Sequence, residues 1–187
     1  MPILRNFPDF FETERLLVRA PRPGDGFSVY EAVVETLDEL RAWPASLPWA
    51  LLAPSADASE VFCRQGHSAF LSRTDLPMLM FLRGSSTLVG CTGLHRADWS
   101  VPKFEIGYWV RKSFHCQGLA TEALGGIASF AQHHLGARRL ACLADEANTA
   151  SRRVAERAGF TLEGVLRNER TAPDGTPRHT CIYALTR

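Results

Sequence analysis

The chain has 187 residues, a formal net charge of +1, and 45% hydrophobic and 22% charged residues. That length suits a single domain over residues 1–187 with a substantial core, and the near-neutral balance excludes a dominant electrostatic attraction to nucleic acid or an anionic membrane. The five cysteines (Cys63, Cys91, Cys116, Cys142 and Cys181) are scattered and form no Cys-x-x-Cys pair, so neither a zinc site nor a disulfide framework is expected, and a reducing cytoplasm suits them.

The opening MPILRNFPDFFETERL has no basic leader followed by an unbroken apolar run, and no signal peptide is expected. No apolar run approaches the roughly 18–20 residues of a membrane helix. A first strand is predicted at Leu16–Arg19, then a Pro-rich turn and a helix start near Asp25. Phe27, Tyr30, Val33, Val34, Leu37 and Leu40 recur at helical spacing, and Trp43-Pro44 ends that helix because a residue before proline avoids the helical region. A loop over 47–54 carries Trp49. Ser55 or Asp57 caps a helix running from Ala58 to about Arg73. Strands follow at Met78–Arg83 and Thr87–Leu94, joined by a Gly84-Ser85-Ser86 turn. Gly90 and Gly93 permit a bulge or a close backbone approach.

The stretch from Lys103 to Leu135 carries the most information. Phe104–Val110 reads as a strand with Glu105, Gly107 and Trp109 on one face and Phe104, Ile106, Tyr108 and Val110 on the other. A basic, polar turn (Arg111–Gln117) leads to a helix opening at Gly118, whose Leu119, Ala123, Leu124, Ile127, Phe130, Ala131 and Leu135 form one apolar stripe. A strand feeding a helix through such a turn aims free backbone N–H groups and the positive helix end at one point, which is an anion site that a pyrophosphate fits. Gly136 closes this helix. A short strand at Arg139–Ala144 comes next, then a helix capped by Asn148, with Val154 and Ala158 inside and Gly159 at its end. Glu163-Gly164 lies in a further strand, and Pro173–Thr176 turns a terminal hairpin whose return strand is about Arg178–Leu185.

Three phrases share one likeness. EIGYWV followed by a turn and QGLATEAL resembles the acetyl-coenzyme A signature of the GNAT-type N-acetyltransferases. The match is closest to the Rim-like branch, the ribosomal-protein N-terminal acetyltransferases, which the opening Thr13-Glu-Arg-Leu also resembles, and the phrase from Asn148 through Ser151 to Gly159-Phe160 is similar to a second block of the GNAT enzymes. Two positions depart from the signature: His115 replaces the usual Gln or Arg, and Cys116 occupies a place where a small residue is common. The resemblance implies an α/β (α+β) fold built on a central mixed, mostly antiparallel sheet of about six to seven strands, splayed at the centre, with helices on both faces.

It also implies acetyl transfer from acetyl-coenzyme A, without a metal, to a primary amine, with a protein or peptide N-terminal α-amine as the first expectation. A small amine (a polyamine, an amino-acid-like metabolite or an aminoglycoside) is the alternative acceptor, and a non-catalytic coenzyme A-binding module is the alternative outside enzymes. A monomer or a homodimer is expected. By the same resemblance Tyr108, Trp109 and Val110 run beside the pantetheine arm. Arg111, His115, Cys116, Gln117, Gly118, Leu119, Ala120 and Thr121 cradle the pyrophosphate, and Asn148 reaches the arm from the next helix. Trp43 and Trp49 serve either as core or as a grip on the acceptor. The amine needs a proton acceptor; Glu105 is the first candidate, with Glu163, His95 and His179 behind it. The thiolate needs a proton donor. The tyrosine that many GNAT enzymes place four residues before the Gly-Phe pair is here Ala155, which leaves Ser151 as the hydroxyl candidate. Cys116 offers a ping-pong nucleophile as a minor alternative.

Overall fold

A computed structural model describes Met1–Arg187. Eight strands make one sheet: β1 (Phe10–Glu12), β2 (Leu16–Arg19), β3 (Leu76–Leu82), β4 (Leu88–Asp98), β5 (Lys103–Val110), β6 (Arg139–Asp145), β7 (Thr161–Thr171) and β8 (Pro177–Thr186). Their order is β1-β2-β3-β4-β5-β6-β8-β7. Four α-helices accompany them: α1 (Gly26–Arg41), α2 (Ala56–Ser72), α3 (Leu119–His134) and α4 (Thr149–Arg157). The expected six to seven strands become eight because Phe10–Glu12 also pairs, with β2. Its three residues follow a proline and an aspartate and carry too short a pattern for an alternation to register.

Side-chain alternation in the central strands divides the core in two. Met78 and Met80 of β3 and Phe104 and Ile106 of β5 face α3, together with Leu124, Ile127 and Phe130. Leu79 and Phe81 of β3 and Cys91 of β4 face the other way, against Val29 and Val33 of α1 and Cys63 of α2. Helices thus cover both faces, and each buried Leu, Ile or Phe contributes roughly 1.5–3 kcal/mol. Local grammar sets the helix ends. The Ser55 hydroxyl accepts the Ala58 N–H at the start of α2, and Asn148 Oδ1 accepts the Ser151 N–H at the start of α4.

The sheet is antiparallel except between β5 and β6. That parallel pairing spans only Lys103↔Arg139 to Glu105↔Ala141. From Ile106 onward β5 pairs with β4 alone, and from Cys142 onward β6 pairs with β8 alone. The two central strands therefore part in mid-sheet and leave a wedge. Gly90 lets β4 lie tight against β5: it sits at φ +155°, and a Cβ there would stand 2.2 Å from the Trp109 carbonyl oxygen.

Candidate active site

Three features meet around the wedge. The first is the loop from β5 into α3. Cys116 and Gly118 take left-handed conformations (φ +59° and +78°) and turn the chain sharply into the helix. The α3 ladder begins with Glu122 N–H on the Gly118 carbonyl, and the backbone N–H groups from Cys116 through Thr121 have no acceptor within the chain. They gather at the positive end of a 16-residue helix. Two braces fix this loop. Towards α1, Arg111 Nε donates to Glu35 at 2.5 Å, the Ser113 N–H donates to the other Glu35 oxygen at 2.8 Å, and the Lys112 N–H donates to Thr36 Oγ1. Burial raises the Glu35 carboxyl, but the bonds from Ser113 and Arg111 outweigh it and hold the group below its ordinary range.

Towards the first strands, Glu122 accepts the Thr13 hydroxyl at 2.6 Å, the Arg15 N–H at 2.8 Å and Arg15 Nε at 2.7 Å. Arg15 Nη1 goes on to the Gln117 carbonyl at 3.0 Å. Burial raises the Glu122 carboxyl as well, and again the hydrogen bonds outweigh it and leave it lowered. His115 folds back on the strand it follows. Its Nε2–H donates to the Val110 carbonyl at 2.8 Å, a bond that fixes the tautomer, since a carbonyl only accepts.

The second feature bridges the wedge. The Tyr108 hydroxyl donates to the Ser151 carbonyl at 3.0 Å and lies 3.0 Å from Ser151 Oγ. With its one proton on the carbonyl, the phenol oxygen accepts from the serine hydroxyl. Burial pushes the Tyr108 phenol up, opposed in part by the Ser151 bond, so it stays protonated at neutral pH.

The third is a cavity of about 530 Å³ between α1, α2 and the open face of β4 and β5. Val33, Phe62, Trp49 and Trp109 are among its walls, and no Asp, Glu, Lys or Arg is. The Trp49 and Trp109 rings lie 6.4 Å apart. His95 is the one histidine in the wall. Its Nδ1 stands 2.8 Å and 3.0 Å from the two Asp75 oxygens.

A family description, the acetyltransferase (GNAT) domain, matches residues 15–161. The chain belongs to the GNAT acetyltransferase family. Like its family, it is an acetyl-coenzyme A-dependent N-acetyltransferase. YdaF of Bacillus subtilis (strain 168), provisionally named a ribosomal N-acetyltransferase, is 30% identical over 156 residues, covering 83% of this chain and 82% of YdaF. That relative supports the Rim-like branch. Two solved structures share the fold: RimL, a ribosomal L7/L12 alpha-N-protein acetyltransferase in complex with coenzyme A (TM-score 0.85, 21% identity, 95% of this chain and 97% of that one), and MccE, a microcin C7 self-immunity acetyltransferase with acetyl-CoA and AMP (TM-score 0.84, 20% identity, 94% of each).

For a GNAT chain the residues singled out in the sequence fall into three groups. Arg111, His115, Cys116, Gln117, Gly118, Leu119, Ala120 and Thr121 all lie on the braced loop and the first turn of α3. Tyr108, Ser151 and Asn148 meet across the wedge, while Trp109 and Trp49 meet in the cavity wall. Val110 ends β5 beneath His115. Others lie apart. Trp43 follows α1 and is not in the cavity wall. Glu163 is paired with Arg139, and His179 accepts the Asn168 N–H. Glu105 is bound by Arg96, which a bulge in β4 and a left-handed backbone (φ +50°) turn towards it. The sequence reading gave no role to the Thr13–Arg15–Glu122 brace or to Asp75. The opening phrase containing Thr13 and Arg15 was the available signal for the brace.

Proposed function

We infer that the chain moves an acetyl group from acetyl-coenzyme A to a protein or peptide N-terminal α-amine, by direct attack in a ternary complex within the cytoplasm. The observation that carries the cofactor half is the run of free backbone N–H groups from Cys116 to Thr121 at the opening of α3, beside the parted strands. Those donors suit a pyrophosphate. The acceptor half is supported by the names of the Rim-like relatives.

Bound acetyl-coenzyme A supplies an activated acyl group on sulfur. In this reading the Cys116–Thr121 backbone holds its phosphates, and Arg15 and Arg111 keep the loop in shape. Tyr108, Trp109 and Val110 flank the pantetheine arm, and Asn148 meets it from α4. The Ser151 and Tyr108 hydroxyls, hydrogen-bonded to each other, are the candidate donors to the departing thiolate in place of the tyrosine replaced by Ala155. Uptake of the amine's proton falls to the cavity side of β4 and β5; Glu105, the carboxylate candidate there, has its charge engaged by Arg96.

The test is calorimetric titration with acetyl-coenzyme A, followed by a thiol-release assay on peptides with free and blocked N-termini. Turnover lost on blocking the terminus is the expected result. Turnover on none of the free-terminus peptides overturns the protein acceptor, and absence of binding overturns the cofactor assignment. Ser151→Ala is expected to lower kcat tenfold or more with acetyl-coenzyme A affinity retained.

A further inference from the structure

We propose that the cavity beneath α1 and α2 is the acceptor site for a primary amine borne on a large uncharged apolar group, and that His95, aligned by Asp75, takes up the amine's proton. The proposal rests on the acetyl-transfer reading above and adds the acceptor's chemistry and a catalytic residue to it.

The wall composition decides the acceptor class. Val29, Val33, Leu37, Phe62, Trp49 and Trp109 surround a space of about 530 Å³, a volume within the range of ordinary small-molecule pockets. A polyamine or an aminoglycoside brings further ammonium groups, and each needs a carboxylate or a cluster of carbonyl oxygens once out of water. The wall offers no carboxylate. Of its hydroxyls, Thr92 Oγ1 donates to the Gly107 carbonyl, Ser55 caps α2 and Tyr108 is bonded to Ser151; Ser59 alone has no side-chain bond, and a lone hydroxyl does not neutralise an ammonium. An aromatic or branched aliphatic group fits these surroundings. The same apolar walls favour the neutral form of the incoming amine, which is the form that attacks.

The geometry around His95 then selects the base. Asp75 accepts from Nδ1–H, so the lone pair of the neutral ring sits on Nε2, which has no partner in the chain. The ring lies over two residues without side chains. Cβ atoms built at Gly93 and Gly107 would stand 2.7 Å and 3.4 Å from Nε2. Nε2 is thereby brought against the backbone of β4 and β5 at the cavity floor, one residue from Tyr108. The other titratable groups around it are Glu105, its partner across the ladder and bound by Arg96, and Cys91 and Tyr108 in the wall; α1 and α2 present none. The His95 and Asp75 side chains are 37% and 40% exposed, which gives the proton a way out to water. In the balanced step, the amine nitrogen bonds to the thioester carbonyl carbon as the carbon–sulfur bond breaks. The nitrogen's surplus proton passes to His95 Nε2 and on to water, and the thiolate takes one proton. The products are an N-substituted acetamide and coenzyme A.

The experiment uses the full chain with acetyl-coenzyme A and four acceptors: phenylethylamine, a phenylalanine-initial peptide, a serine-initial peptide and spermidine. We expect the two apolar amines to exceed the others at least tenfold in kcat/KM and to quench tryptophan fluorescence through Trp49 and Trp109; whichever of the two leads identifies the source as a small molecule or a polypeptide. Preference for spermidine or the serine-initial peptide overturns the acceptor class while leaving acetyl transfer intact. Turnover of none overturns acetyl transfer and this proposal with it. His95→Gln is expected to lower kcat about a hundredfold and abolish the acidic limb of the pH–rate profile, with acetyl-coenzyme A affinity unchanged as the control for folding. Asp75→Asn should lower kcat as well, because an amide no longer fixes the proton on Nδ1. An acidic limb that survives in His95→Gln overturns the role of His95.

Discussion

Glu122→Gln tests whether the cofactor loop depends on its brace to the first strands. The Glu122 side chain is 17% exposed, and its two oxygens take the Thr13 hydroxyl, the Arg15 N–H and Arg15 Nε. Glutamine keeps the length and one acceptor oxygen but turns an NH2 towards groups that themselves donate. Hydrogen bonds to a charged partner contribute about 1.5–3 kcal/mol each, and the Arg15 guanidinium, 46% exposed, counts for less because water screens it. The expected loss is about 2 kcal/mol, or a Tm lower by roughly 4–8 °C for a chain of this size. The folded-state carboxyl is held below its ordinary value of 4.5. Its stabilisation is therefore complete above that value and disappears as pH falls through the lower, folded one. Urea unfolding midpoints of the parent and the variant should differ clearly at neutral pH and converge in acid, below the lowered folded-state value. Because Arg15 also holds the Gln117 carbonyl, acetyl-coenzyme A affinity should fall about tenfold, equivalent to about 1.4 kcal/mol. Equal midpoints at neutral pH, or a gap that persists in acid, would refute the brace.

Arg178→Ala removes two charge-assisted bonds, at 2.8 Å and 2.6 Å, from the Asp145 carboxylate, whose side chain is only 5% exposed. Leaving that charge buried should cost about 3 kcal/mol at neutral pH, read from urea midpoints, with a smaller deficit in acid as Asp145 protonates. Among the thiols only Cys116 is exposed; burial pushes Cys63 up to about 12 and raises Cys91 and Cys142 as well. Titration with a chromogenic disulfide should therefore show one fast thiol in the native protein, slowed by saturating coenzyme A. A second equally fast thiol would contradict the burial, and no slowing would separate the cofactor from the loop.

What could be read in the sequence is what local pattern determines. Leu16–Arg19, the α3 stripe and the Asn148 cap follow from the spacing of apolar residues and from side chains that reach their own backbone. The alternation in Phe104–Val110 assigned both faces of β5 correctly, because a strand's side-chain period leaves no third choice. In α4, Val154 and Ala158 pack against the core as expected, and the fully buried Ala155 between them was not singled out. Long-range partners were not legible. Thr13 and Glu122 are 109 residues apart, and nothing local tells a carboxylate in the first turn of a helix that it will meet a hydroxyl from the first strands. Glu105 shows the converse problem. Its strand and its face were correctly read, but its Arg96 partner arrives through a bulge that adds a residue out of step with the alternation.

Gly93 and Gly107 were legible only as places of close approach, and the structure gives that approach an object, the His95 ring. The two positions are not equivalent. A methyl group at Gly93 meets His95 Cε1 and Nε2 at 2.7 Å and the Leu76 carbonyl oxygen at 3.1 Å, so either the ring or the β3–β4 ladder has to shift. At Gly107 the nearest atoms are His95 Cδ2 and Nε2 at 3.3 Å and 3.4 Å, which a few tenths of an ångström of side-chain motion relieve. A shifted ladder lowers the urea midpoint together with kcat, whereas a displaced ring lowers kcat and leaves the midpoint in place. Gly93→Ala should lower kcat at least tenfold with little change in acetyl-coenzyme A affinity, because a base displaced by about 1 Å loses its alignment with the reacting nitrogen. Gly107→Ala should stay within about threefold of the parent on the same scale. A urea midpoint that falls with kcat in Gly93→Ala would mean that Gly93 matters to the strand alone, and the His95 ring would need no seat.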